Sequence, residues 1–329
     1  MAPIVEDRKD SEITAIAVSN NTDKLLAYAN SDGAIMLYDL VNNSRQRIAE
    51  CKSVRVRYIF WDQSQTRLAY RFLNEVVIVK VVIRNTTGQR QFSTETTFIK
   101  SGAGDPWTSG GQVLFDDSWN LLLLVSGETS KVVALPGGEV MAEYDMPENE
   151  HNFQWMKHPS RPDKLICISS GHVSVFTWKL EKQRCIPLKT AAVWGIWSRH
   201  IGSYSPNFLI LSTFNMGLRV IPTSSIYSDD PNEQSIPTEL IDFPKTTRQA
   251  ISHPLGILPD ERMVFLDRNL WVCTTVLRGG PGAITRHFFV PHDWVTANDI
   301  SLAQLLPDGT IILPSKGEVA IIRNQIMSE

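Results

Sequence analysis

Along most of its length the chain alternates short apolar runs with polar turns. Between residues 111 and 144 the runs are "GQVLF", "NLLLLVS", "SKVVAL" and "EVMAEY", and between 152 and 188 they are "NFQWM", "DKLICISS", "HVSVFTWKL" and "QRCIPL". They are bounded by Asn, Asp, Gly, Ser or Pro and rich in β-branched and aromatic residues, the pattern of strands joined by tight turns. No stretch sustains a 3.6-residue apolar period between caps, so helices are expected to be minor.

The four-run unit repeats. Leu-Ala-Tyr at 26–28 returns at 68–70, a spacing of 42 residues, and Leu-Pro-Asp at 258–260 returns at 306–308, a spacing of 48. Such periods belong to four-stranded propeller blades. The pattern predicts an all-β, seven-bladed β-propeller occupying 1–329 as one domain, with blades near 13–50, 54–99, 110–145, 152–188, 192–244, 251–291 and 300–329. The fifth blade is read from "AVWGIWS", "NFLILST", "GLRVIP" and "TELIDF". Because the last unit supplies three strands, "APIVED" at 2–7 is expected to complete it, closing the ring and removing a free sheet edge. Three insertions, 84–111, 222–237 and 278–284, map to loops, where repeat proteins often carry binding residues.

Composition narrows the function. A formal charge of -3, with no basic run of five or more, argues against nucleic acid or an acidic membrane surface as partner. The beginning "MAPIVEDRKD" has no signal-peptide pattern, and no apolar window has the length of a membrane span. Cys51, Cys167, Cys185 and Cys273 lie far apart without C-x-x-C spacing, which suits buried thiols in a reducing, cytoplasmic setting. The N-x-S/T triplets at Asn20, Asn42 and Asn85 are then expected to stay unglycosylated.

The chemistry-bearing residues form no catalytic signature. G-x-S-x-G, the P-loop and H-E-x-x-H are absent. His151, His158 and Cys167 have no zinc-site spacing, and His287, His292 and Asp293 read as a strand leading into a loop, so neither metal nor cofactor is expected. Asp32, Asp117, Asp163, Asp260 and Asp308 fall in turns, where aspartate bonds its own backbone. Trp61, Trp155 and Trp197 take comparable places in their units and fill either inter-blade wedges or a shared mouth. Trp178 and Trp271 are core. Trp107, Trp294 and the adjacent His292 are the candidates for exposed contacts, since aromatic anchors mark interface centres.

"SDGAIMLYDL" at 31–40 resembles the WD40-type propeller superfamily, with Tyr38-Asp39 as a weakened Trp-Asp dipeptide; the Gly-His and Trp-Asp marks are missing from nearly every other unit. "LPDERMVFLDRNLWVC" at 258–273, "RHFFVPHDW" at 286–294 and "LLPDGTIILPSKGEVAIIR" at 305–323 resemble the C-terminal propeller region of fungal NACHT-type signalling NTPases. That resemblance implies the sensor or partner-binding half of such a protein and offers no catalytic residues. The resulting expectation is a non-catalytic intracellular module that recognises a protein partner through propeller face loops. The alternatives are a central-cavity small-molecule or enzymatic site and a structural subunit with a wide apolar patch.

Overall fold

The computed structural model describes residues 11–19, 25–51, 55–62, 66–72, 75–86, 89–100, 112–147, 153–158, 160–169, 172–187, 199–201, 208–213, 217–223, 226, 243–277, 283–315, 317–323 and 326. These residues form seven antiparallel sheets, each built from strands consecutive in the chain. The first sheet is β1 (Ile13–Val18), β2 (Leu25–Asn30), β3 (Ala34–Asp39) and β4 (Ser44–Glu50); the second is β5 (Val56–Trp61), β6 (Arg67–Phe72), β7 (Glu75–Thr86) and β8 (Gln89–Lys100). The third is β9 (Val113–Phe115), β10 (Leu121–Ser126), β11 (Thr129–Ala134) and β12 (Val140–Asp145), and the fourth β13 (Gln154–Lys157), β14 (Lys164–Ile168), β15 (His172–Thr177) and β16 (Lys182–Pro187). The fifth has β17 (Arg199–Ile201), β18 (Phe208–Thr213) and β19 (Gly217–Pro222); the sixth β20 (His253–Ile257), β21 (Arg262–Leu266), β22 (Trp271–Val276) and β23 (Thr285–Phe289). The last is β24 (Gln304–Leu305), β25 (Ile311–Ser315) and β26 (Glu318–Ile322). Two short helices, α1 (Lys245–Ala250) and α2 (Ala297–Ser301), lie before the sixth and last sheets.

The sequence pattern follows from position within a sheet. β2 and β14 are buried at every residue because sheets press on both their faces, so they read as unbroken apolar runs. β4, β12 and β16 are largely exposed and correspondingly polar. First strands of neighbouring sheets touch, β1 against β5, β9 against β13, β17 against β20 and β20 against β24, which sets them on the inner side. Apolar side chains fill the wedges between sheets: Leu25 and Leu37 meet Val56, Leu68 and Val77, Leu123 and Val132 meet Trp155 and Phe176, and Leu266 and Val272 meet Leu305 and Ile311. The first and last sheets also share a cluster, with Leu26 and Tyr38 packed on Leu306, Ile312 and Val319.

The expectation of a seven-bladed propeller is corrected here. The propeller has six blades; the fifth unit is a smaller three-stranded sheet among the described residues, order β17-β18-β19. Its first strand is Arg199–Ile201, whereas the expected first run, 192–198, and most of the expected fourth, 238–242, lie outside the described residues. The physical reason lies in β17, whose three residues pair only with Ile210–Ser212 of β18, a shorter ladder than the four-stranded blades carry. Residues 2–7 lie outside the described residues, and β26 has no fourth strand among those described. The described join between first and last sheets consists of the shared apolar cluster, a Gln304 Nε2 bond to the Ile16 carbonyl at 3.5 Å and an Arg323 Nη2 bond to the Leu40 carbonyl at 2.6 Å.

Gly317, in the turn between β25 and β26, belongs to this join. Its φ is +83° and a Cβ there would sit 2.4 Å from the Ser11 carbonyl oxygen. Gly317→Ala therefore combines a left-handed backbone with a clash against main chain, and urea unfolding is expected to show a loss of about 2 kcal/mol. An unchanged midpoint would mean the two ends do not meet there.

Turn chemistry matches the aspartate reading in part. Asp32, Asp260 and Asp308 each accept the backbone N–H two residues on, from Ala34 at 3.1 Å, Arg262 at 3.2 Å and Thr310 at 3.0 Å. Asp117 instead pairs with Lys157 at 2.6 Å and Asp163 with Lys164 at 3.3 Å. In the third sheet the buried Asp116 takes the turn role, accepting from the N–H groups of Asn120 at 2.8 Å and Leu121 at 2.7 Å.

Candidate interaction groove

β23 carries two consecutive phenylalanines, and since successive strand residues point to opposite faces, one must turn outward. Phe288 packs toward the cluster between the sixth and last sheets, while Phe289 stays 52% exposed. The chain is then pinned by Val290, which is buried and donates its N–H to the Leu270 carbonyl at 2.9 Å. A single 3₁₀ turn, His292–Trp294, follows, and Trp294 packs against the same cluster. A capping box holds the next segment: Asp299 N donates to Thr296 Oγ1 at 3.2 Å and Thr296 N to Asp299 Oδ2 at 2.8 Å. With Ile300 buried beneath it, the Trp294 loop stands on fixed ground.

Across from this wall lie Tyr38 at the end of β3 and Asn43 in the β3–β4 turn, and the floor is Ile321, Ile322 and Arg323 of the last sheet. Together they enclose a groove of about 600 Å³. The turn is set by Asp39, fully buried, which accepts the N–H groups of Val41 at 2.9 Å and Asn42 at 3.1 Å and the Asn42 side-chain amide at 2.7 Å. Burial pushes the Tyr38 phenol above its ordinary range, the Arg323 charge opposes that rise and Asp39 adds to it, so the phenol stays a neutral donor, here to Asn43 Oδ1.

Of the residues singled out from sequence, Trp294 lines the groove and His292 is exposed on the adjoining turn without lining it. Trp61 is half-buried in the wedge between first and second sheets, its Nε1 donating to the Ala17 carbonyl at 3.2 Å. Trp155 is 1% exposed and packs on Phe176 with ring centroids 4.8 Å apart, so it fills a wedge between blades. Trp107, Trp197 and His151 lie outside the described residues. His287 bonds Thr274 Oγ1 through Nε2 at 2.9 Å. His158 is buried in the β13–β14 turn, where burial, and secondarily the Arg161 charge, pulls its imidazole down to about 4, against the weaker opposing effect of Asp163. Among the described residues no group of His, Cys, Asp and Glu is arranged to hold a metal ion.

The sequence reading missed Tyr38, Phe289 and Arg323 as partners of Trp294. They come from three sheets at opposite ends of the chain, and only the doubled phenylalanine of "RHFF" signalled an outward aromatic.

No known family's sequence model matches the chain, and no curated protein sequence does. Solved structures do. The chain is similar to the β-propeller domain of Myceliophteria thermophila Cps50 (Swd1), with a TM-score of 0.68 at 12% identity over 98% of this chain and 99% of that one. It is also similar to the WD40 β-propeller domain of Doa1, with a TM-score of 0.58 at 13% identity over 99% of this chain and 96% of that one. The fold is that of a WD40 β-propeller.

Within that propeller, Tyr38-Asp39 keeps half of the Trp-Asp logic. Asp39 organises the turn after the third strand, while Tyr38 faces the groove. The groove is lined by the end of β23 and the turn after it, by the end of β26 and by the β3–β4 region.

Proposed function

We propose that the chain is a non-catalytic recognition module that captures a protein partner, with the groove around Trp294 as its contact site. The observation that carries this reading is the grouping of Tyr38, Phe289, Trp294 and Arg323 around one concave surface. Aromatic and arginine side chains dominate interface energetics because they bury large area with little entropy to lose. Phe289, 52% exposed, leaves apolar surface in the groove.

The central-cavity alternative calls for titrating groups displaced in a solvent-reached site. The strongly displaced groups, Tyr70, His158 and Cys273, owe their shifts first to burial; Cys273, buried on β22, is pushed up to about 11. Four free thiols favour a reducing, cytoplasmic setting. Among the described residues, no helix is long and apolar enough to cross a membrane. The finer version, a sensor half like that of fungal NACHT-type proteins, draws support from the coincidence that 286–294 and 305–323, which carry that resemblance, supply Phe289, Trp294 and Arg323.

The test is partner capture by immobilised protein, wild type against Trp294→Ala and against Trp107→Ala/Trp294→Ala. A stoichiometric partner retained by wild type and lost by both variants at matched Tm is the expected result; full retention by the double variant would remove the proposal.

A further inference from the structure

The fourth strands of the four-stranded sheets form the rim of the propeller, and the rim is not uniform in charge. β4, β8, β16 and β23 all carry arginine or lysine, whereas β12 carries Glu143 and Asp145 and no base, with Glu139 immediately before it. All three carboxylates are exposed, and Lys131, 3.3 Å from Glu143, offsets one of them. Two apolar side chains lie among these acids, Val140 at 57% exposed and Met141 at 60%. The next sheet around the ring reverses the sign. Its rim presents Lys179, Lys182 and Arg184 against the single carboxylate of Glu181, with Cys185 and Pro187 exposed beside them. The two sheets are direct neighbours, since Leu123 and Val132 share a cluster with Trp155 and Phe176. Each rim strand also carries a bulge, Met141 skipped between Ala142 and Val140 and Gln183 between Arg184 and Lys182. Bulges of this kind disfavour strand-to-strand addition, so a contact here is made by side chains.

We infer that the chain self-associates through these two rims, with a second copy related by a two-fold axis that passes between the third and fourth sheets, parallel to the axis of the ring. That rotation sets the acidic rim of each copy opposite the basic rim of the other, so both halves of the contact are complementary. Val140 and Met141 then face the exposed Cys185 and Pro187, which gives the charged contact an apolar centre. A foreign basic surface would satisfy β12 alone, whereas a second copy satisfies β12 and β16 together. A contact confined to two rims is small, so the association is weak and sensitive to salt. It does not depend on the groove around Trp294, which is built on other sheets.

Sedimentation velocity of the full chain, over about a hundredfold range of concentration, is the experiment. A monomer–dimer equilibrium is expected, weakening about tenfold or more between about 0.05 M and about 0.5 M salt. Glu139→Lys/Glu143→Lys and Lys179→Glu/Lys182→Glu should each weaken it by about tenfold or more at unchanged Tm, since all four side chains are exposed. An equimolar mixture of the two double variants should dimerise again, because each reversed rim then faces its opposite. Recovery of that kind separates charge matching from damage to either fold. A monomer at every concentration, association indifferent to both double variants, or no recovery on mixing overturns the inference. So does a benzoylphenylalanine at position 141 whose cross-links between copies fall outside residues 179–187.

Discussion

Trp155→Ala is expected to lower the free energy of unfolding by about 3–5 kcal/mol, the range for truncating a fully buried large aromatic. Trp155 is 1% exposed, meets Phe176 at 4.8 Å and the edge of Tyr144 at 6.5 Å, and anchors the wedge where Leu123 and Val132 of the third sheet face Leu165 of the fourth. Removing the indole leaves a void bounded by two separate sheets, which cannot collapse without shifting both. Trp155→Phe should cost much less, because most of the apolar contact remains and the indole N–H, which has no hydrogen-bond partner, is removed with it. Urea unfolding monitored by circular dichroism checks both; near-equal midpoints for wild type and the alanine variant would show that the wedge is not packed as described. Partner capture should be unaffected by the phenylalanine variant, since this tryptophan lies far inside.

Stability is also expected to fall as pH is lowered, through His158. Burial holds its folded-state pKa near 4, below the ordinary value near 6.5. Between those values the unfolded chain binds a proton that the folded chain refuses, so unfolding takes up protons and stability rises with pH through this window. The contribution is fully present above about pH 6.5, declines as pH falls and is exhausted near pH 4, a change of roughly 3 kcal/mol. His158→Asn, which keeps a side-chain acceptor for the Ser160 N–H that Nδ1 now receives at 3.3 Å, should flatten that segment of the curve. Denaturant midpoints at pH 7.5, 6, 5 and 4.5 give the comparison; parallel curves for wild type and variant would remove His158 as the cause.

Much of the architecture was legible because burial on both faces leaves an unmistakable trace. "NLLLLVS" and "DKLICISS" became β10 and β14, within a residue or two, because a strand pressed between sheets has no polar face to interrupt it. Outer strands such as β16, mostly exposed, were found by their place in the repeat more than by their own pattern. In the fifth unit the described first strand is Arg199–Ile201, which pairs with Ile210–Ser212, while the apolar run "AVWGIWS" lies outside the described residues. Asp116 and Asp117 were indistinguishable in sequence, and only the fold separates the turn acceptor from the residue that reaches Lys157. The groove was half legible. A loop tryptophan after two adjacent phenylalanines identified one wall, but the opposite wall depends on the first and last sheets meeting, and no local pattern specifies what lies beside Arg323.

That meeting is the claim on which the groove and its partner chemistry stand. A photoreactive benzoylphenylalanine at position 289, irradiated in dilute monomeric protein and mapped by mass spectrometry, tests it directly. With Phe289, Tyr38, Asn43 and Arg323 around one groove, cross-links are expected to residues 38–43 and 321–323 of the same chain. Cross-links confined to residues near 289 in sequence would contradict it.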